Sequence, residues 1–197
     1  QLYGMSEHIS FPLAAAPYVT DEGSWDIKRG FGDIVLLGLL GTATEGGFLY
    51  GAGPTAIFPT ASDPSLGGQQ WQVGPAALAG LLKKWGVVGL LWQHWWGFGA
   101  EEGVDAKNVG TLQLFYWFSA GSGWQVGGSP IATSNYVAGS DASFVVPLNL
   151  GVAKTFILGR TPLKATLQGQ YFVTRPDVLG QSWGIFFQIV PVIKVPW

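Results

Sequence analysis

Two histidines, two pairs of adjacent acids and the Gly51-Ala52-Gly53 stretch are the residues of this chain that could carry reaction chemistry. His8 shares strand parity with Ser6 and Ser10, so a serine relay on one face is conceivable. A nucleophile and base need a third group to orient them, and no acid occupies that face of the same segment. His94 has no such neighbours, so the chain is not expected to be an enzyme and no catalytic residue is assigned. Asp21-Glu22 and Glu101-Glu102 offer oxygen ligands but lack the alternating acid-x-acid spacing of a calcium loop. They read as solvated charge, and no metal site is expected. Gly51-Ala52-Gly53 lacks the third glycine and the following helix of a phosphate-binding loop, and Pro54 comes next. With no cysteine there is no disulfide or thiolate ligand, and no cofactor is expected. What remains is hydrogen-bonding chemistry without fixed charge: Gln113, Gln125, Ser129, Thr133, Asn149, Thr166, Gln168, Gln170 and Gln188. Such groups suit a lining that meets small neutral or amphipathic solutes, because side chains that select ions do so with rings of like charge.

The elements that must position these residues are strands. In 162–175 the polar residues Lys164, Thr166, Gln168, Gln170 and Thr174 alternate with Leu163, Ala165, Leu167, Tyr171 and Val173. In 108–119, Thr111, Gln113 and Ser119 alternate with Leu112, Leu114, Tyr116 and Phe118. In 182–197, Trp183, Ile185, Phe187, Ile189, Ile193, Val195 and Trp197 oppose Ser182, Gly184, Gln188 and Lys194. An apolar face with an aromatic at each end is what a barrel strand in lipid needs, the rings at the headgroups and the aliphatic residues between. Turn signals predict about ten strands, at 4–16, 31–41, 47–59, 70–82, 85–98, 108–119, 123–136, 142–156, 162–175 and 182–197. Those from 31 to 98 alternate poorly, which leaves their facing open.

Composition agrees with this reading. Only 11% of the 197 residues are charged while 48% are hydrophobic, too little charge to cover a soluble surface. No segment approaches the ~20 apolar residues of a spanning helix, so contact with a membrane would require a closed sheet. The fold expected is an all-β, antiparallel, up-and-down transmembrane barrel, one outer-membrane domain over 1–197. The chain begins at Gln1 without an initiator Met or a leader pattern and reads as mature or truncated.

The connections alternate in length. Long ones at 17–30, 60–69, 99–107, 137–141 and 176–181 are separated by short ones at 42–46, 83–84, 120–122 and 157–161. Outer-membrane barrels keep short turns in the periplasm and long loops outside, which would place both termini in the periplasm. Charge divides the same way: Asp21, Glu22, Asp26, Asp63, Glu101, Glu102, Asp105, Asp141 and Asp177 fall in long loops, while Lys83, Lys84, Lys154, Arg160, Lys164 and Lys194 fall towards the short turns. Tryptophans gather at strand ends, with Trp71, Trp95, Trp96 and Trp183 near the loops and Trp85, Trp117, Trp124 and Trp197 near the turns, as expected of two aromatic girdles. Prolines should be scarce in a closed sheet. Folding about the long loops brings Pro54 near Pro75 and Pro130 near Pro147, which predicts two paired notches where the ladder is interrupted.

Gly30-Phe31-Gly32-Asp33-Ile34, Gly51-Ala52-Gly53-Pro54-Thr55, Phe58-Pro59-Thr60-Ala61-Ser62-Asp63, Leu66-Gly67, Trp71 and Gly74-Pro75-Ala76 resemble the bacterial outer-membrane family of the MetA-pathway of phenol degradation type, often labelled as transporters. Ser129-Pro130-Ile131, Val146-Pro147-Leu148, Gly151-Val152, Pro162 and Gln170-Tyr171 continue the resemblance over most of 11–197. It implies a membrane barrel and uptake of aromatic or other hydrophobic compounds. Members of the family carry further strand sequence before the part matching 6–17, so closure with ten strands or about twelve stays open. Outer-membrane lipid and small hydrophobic solutes are the expected partners and nucleic acid is not. The rival expectation is a structural or assembly protein whose filled barrel anchors a homo-oligomer or partner proteins.

Overall fold

The computed structural model describes residues 2–10, 13–19, 25–100, 102–137, 144–159, 161–174 and 182–191, with the backbone alone for 2–28 and 190–191. Its strands are β1 (Leu2–Ser10), β2 (Leu13–Val19), β3 (Trp25–Phe31), β4 (Ile34–Ala43), β5 (Phe48–Phe58), β6 (Trp71–Lys83) and β7 (Gly86–Phe98), then β8 (Asn108–Gly121), β9 (Trp124–Gly128), β10 (Ile131–Asn135), β11 (Phe144–Leu158), β12 (Thr161–Thr174) and β13 (Trp183–Pro191). The fold is all-β, with a sheet of ten antiparallel positions in a barrel-like arrangement. The order is β1-β4-β5-β6-β7-β8-β10-β11-β12-β13, and β9 pairs with β8 and β11 in line with β10, so those two short strands make one pass. A 3-10 turn, Pro64–Leu66, lies in the β5–β6 connection.

Three segments differ from expectation, the first being 4–16, expected as one strand but divided between β1, which ends at Ser10 in the large sheet, and β2, which starts at Leu13 outside it. The long connection expected at 17–30 is largely strand: β2 and β3 pair in register from Leu13↔Phe31 to Val19↔Trp25 and form a separate two-stranded ribbon. Its tyrosine, valine and isoleucine favour extended backbone, and its scattered charges hid that pattern. The strand expected at 123–136 is broken after Gly128, because Ser129-Pro130 interrupts it and proline offers no ladder donor.

The proline pairs differ in part from the expected notches, because the ladder shared by Pro54 and Pro75 is not interrupted. Pro54 and Pro75 face each other in the β5–β6 ladder, which runs on through them. The ladders on either side break at that height: β4–β5 pairing stops between Leu37↔Thr55 and Leu40↔Ala52, and β6–β7 pairing between Val73↔Trp96 and Ala76↔Gln93. Each proline is preceded by a glycine whose Cα lies against a carbonyl of the outer neighbour, Gly53 against Gly38 O and Gly74 against His94 O, so tightly that a Cβ would overlap it. These carbonyls oppose residues without an N–H, and only glycine lets them come so close. Pro147 sits at a register shift in the β11–β12 ladder, and Pro130 at the β9–β10 break on the adjacent strand.

Side chains divide by parity. The outward positions of β4–β8 and β11–β13 are apolar and exposed, among them Leu40, Leu90, Leu114, Leu150, Leu167, Ile185 and Phe187. Inward, β4–β7 supply a cluster of Leu37, Leu39 and Ala76 packed with Leu78 and Leu91. Burying such leucines removes apolar area worth about 2 kcal/mol each from water. The same strands therefore carry apolar residues on both faces, which is why their alternation is faint in sequence.

Candidate functional site

The polar interior is built by register. Residues directly opposite in a ladder share a face, and Gln125 lies opposite Ala153, Ala153 opposite Thr166, and Thr166 opposite Gln188. Gly151 lies opposite Gln168, Asn149 opposite Gln170, and Thr133 opposite Thr111 and Val145. All nine expected lining residues thus fall on the inward parity. Six of them, Gln113, Ser129, Thr166, Gln168, Gln170 and Gln188, surround one cavity of about 440 Å³. Trp117, Ile131, Phe186 and Lys164 complete its wall. Gln125 and Thr133 continue the polar rows beyond it. Asn149 is buried, and among the described residues neither its Oδ1 nor its Nδ2 has a partner.

One wall of the cavity is fixed by hydrogen bonds. The Trp117 indole N–H donates to Ser129 Oγ at 2.9 Å, and the Ser129 backbone N–H donates to Gln168 Oε1 at 3.0 Å. The Ser129-Pro130 break lets this serine turn its hydroxyl and its amide to two interior partners at once, where an unbroken strand would spend the amide on its ladder. The Lys164 ammonium lies 5.0 Å from the centre of the Trp117 ring, within range of attraction to the π face. A second polar group crosses the apolar half: Trp95 donates its indole N–H to Thr55 Oγ1 at 3.1 Å, and that hydroxyl is 3.2 Å from Gln93 Oε1.

Two of the eight tryptophans expected at strand ends on the outside are therefore inside. Trp95 and Trp117 are each only 6% exposed, and both spend their N–H on interior hydroxyls. Parity sets this: both odd-numbered residues share the inward face with Gln93 and Gln113, while their height near strand ends suggested a girdle. Trp71, Trp85, Trp96, Trp124 and Trp183 are exposed on the outside, and Trp197 lies outside the described residues. Trp85 stacks on Phe118 at 5.7 Å, and Lys154 Nζ lies 4.9 Å over Trp124 at the same turn end. At the loop end Trp71 meets Phe58 edge-on at 5.3 Å, and His94 packs between Trp92, Trp96 and Tyr136. His94 is thus a ring in an aromatic cluster. The side chains of Ser6, His8 and Ser10, and the acids Asp21, Glu22 and Glu101, lie outside what is described.

Several residues were not foreseen. Asp33 holds the loop after β5: its Oδ1 accepts the N–H groups of Thr60 (3.1 Å) and Ala61 (3.0 Å), and its Oδ2 that of Gly68 (2.6 Å). Gln70, fully buried, ties this loop to the next by accepting from Lys107 N at 2.8 Å and donating to Asp105 O at 2.9 Å. An isolated acid after Phe-Gly and the second of two adjacent glutamines before Trp71 were the only signals. Thr55, Gln72 and Gln93 enter the interior from strands whose sequence barely alternates. Among the described residues no group of His, Cys, Asp and Glu is arranged to hold a metal. No family model matches the chain, and no curated protein or solved structure is significantly similar to it.

Proposed function

We propose that this chain is an outer-membrane barrel whose interior forms a narrow passage for small, poorly charged molecules. The observation that carries the reading is the 440 Å³ interior cavity, walled by amides and hydroxyls together with Trp117, Ile131 and Phe186, and by a single lysine. Such a wall can replace a solute's water without demanding a particular ion.

The membrane setting is supported by polarity turned inside out. Exposed outward positions are leucine, isoleucine, valine and aromatic, whereas Gln70, Gln72, Gln168, Asn149 and Thr166 are buried. In water so large an apolar surface would aggregate. In lipid it is the required one. β7 has 13 residues, about 43 Å of strand or about 30 Å along the axis at the tilt of spanning barrels, which matches the hydrocarbon thickness. Exposed rings at both ends fit two interfaces, and the charged outward positions, Lys83 and Lys154, lie at the short-turn end. The residues that resemble the phenol-degradation-type outer-membrane family point the same way. On this reading the long loops face outward from the cell and the short turns face the periplasm.

A second reading has an observation of its own. Leu37, Leu39, Ala76 and Trp95 pack the interior of the β4–β7 half, as in a filled barrel that anchors a structural or assembly protein. Conductance in a planar bilayer, with swelling of proteoliposomes in small neutral sugars and amides, separates the two. Discrete conductance steps and solute-dependent swelling support the passage; a silent, impermeable barrel supports the anchor.

A further inference from the structure

Among the described residues, the cavity wall carries one charged side chain. Lys164 projects into it from β12, and its neighbours are Gln113, Ser129, Thr166, Gln168, Gln170 and Gln188. The carboxylates whose side chains are described, Asp33, Glu45, Asp63, Glu102 and Asp105, belong to loops and turns between 33 and 105, and none lines the cavity. Among the described residues the ammonium's partner is the face of Trp117, and that ring is held in place by Ser129. An aromatic face offsets only part of the cost of holding a charge away from water.

The remaining wall is of two kinds. Gln113, Gln170 and Gln188 make no hydrogen bond to the described residues, which leaves their amides free for a guest. Ile131, Phe186 and the Trp117 ring give an apolar side. A guest that satisfies all three carries one negative charge, polar atoms that accept from amides, and a compact apolar body. The volume lies in the range of small-molecule sites.

We propose that this cavity binds small amphipathic carboxylates, with Lys164 as the counter-charge and the glutamine amides as additional donors to the carboxylate. The proposal rests on the interior being open to solutes and narrows their class from poorly charged molecules in general to singly charged anions with an apolar body. Charge-assisted hydrogen bonds between ammonium and carboxylate are roughly twice as strong as neutral ones, so the charge of the guest should dominate selectivity.

The test is calorimetric titration of the detergent-solubilised full chain with benzoate and with benzyl alcohol, each against a micelle blank. Benzoate should bind roughly tenfold tighter than the alcohol. Lys164→Gln should abolish that preference while leaving the alcohol unchanged, and Lys164→Arg should keep it. Equal binding of the two by the unaltered protein overturns the proposal, a comparison that needs no variant to fold. So does an undiminished preference in Lys164→Gln. Bilayer conductance on the same samples separates the two readings: benzoate preference without conductance leaves the site standing and removes the passage, whereas conductance without benzoate preference does the reverse.

Discussion

Phe187 and Gln188 are adjacent in β13, yet Phe187 is 64% exposed on the outward face while Gln188 lines the cavity. The proposed membrane setting makes these neighbours chemically opposite. Phe187→Arg should cost about 2–4 kcal/mol of folding free energy in lipid vesicles, whereas Gln188→Arg should cost far less, since its guanidinium meets a polar interior. Urea titration followed by tryptophan emission measures both, and equal losses would reject the assignment of the two faces. Asp33 offers a test at the loop end. Asp33→Asn keeps the Oδ1 acceptor for Thr60 and Ala61 but replaces the Oδ2 that receives Gly68 N–H. An orphaned donor and a lost charge-assisted bond are worth about 1–3 kcal/mol. Protease should therefore cut the 59–70 loop faster in Asp33→Asn, with the barrel fragments on either side intact.

At the scale of elements, the legibility of the fold followed the chemistry of the interior. β8, β12 and β13 face a polar cavity with one side and present apolar residues on the other, so their period of two is plain in sequence. β4 to β7 face Leu37, Leu39, Leu78, Leu91 and Trp95 inward, and with leucine and alanine outward as well the period vanishes although the strands are as regular. The same contrast explains the site. Gln113, Thr166 and Gln168 could be read from parity, whereas Thr55 and Gln93 sit in segments where no parity was visible, and Trp95 and Trp117 were misread because strand-end position was weighed above the side they share with their glutamine neighbours. Lys164 was visible in the polar parity, but its place beside Trp117 depends on a register that no single strand records. The proline pairs were legible from folding about the loops, whereas the need for Gly53 and Gly74 beside Pro54 and Pro75 was not, and these glycines give the prediction for this scale. Gly53→Ala and Gly74→Ala should each destabilise by about 1–3 kcal/mol, because the added methyl meets the carbonyls of Gly38 and His94 and the backbone must shift. Ala52→Gly, on an exposed position of the same strand, should cost less than either; thermal shifts of heat-modifiable migration on gels report the order.

For the whole molecule, orientation is the property that joins charge, loop length and function. The chain has no cysteine, so single cysteines can report it without background. Glu102→Cys should react with an impermeant maleimide on intact cells, while Lys83→Cys, at the β6–β7 turn, should react only after the outer membrane is opened. The reverse pattern would invert the proposed topology. Closed into the proposed barrel, the sheet is also a hoop, and a hoop under tension yields where it carries least. Pro54 and Pro75 hold their shared β5–β6 ladder in register while the seams to β4 and β7 are interrupted at the same height. Load passing around the wall must there be borne by side-chain contacts and by close approach of glycine to carbonyl in place of hydrogen bonds. Pulled from one end by a cantilever tip, the barrel should part along those two seams, and β5–β6 should leave as one piece, giving a single rupture with the contour length of a hairpin in place of two strand-sized steps.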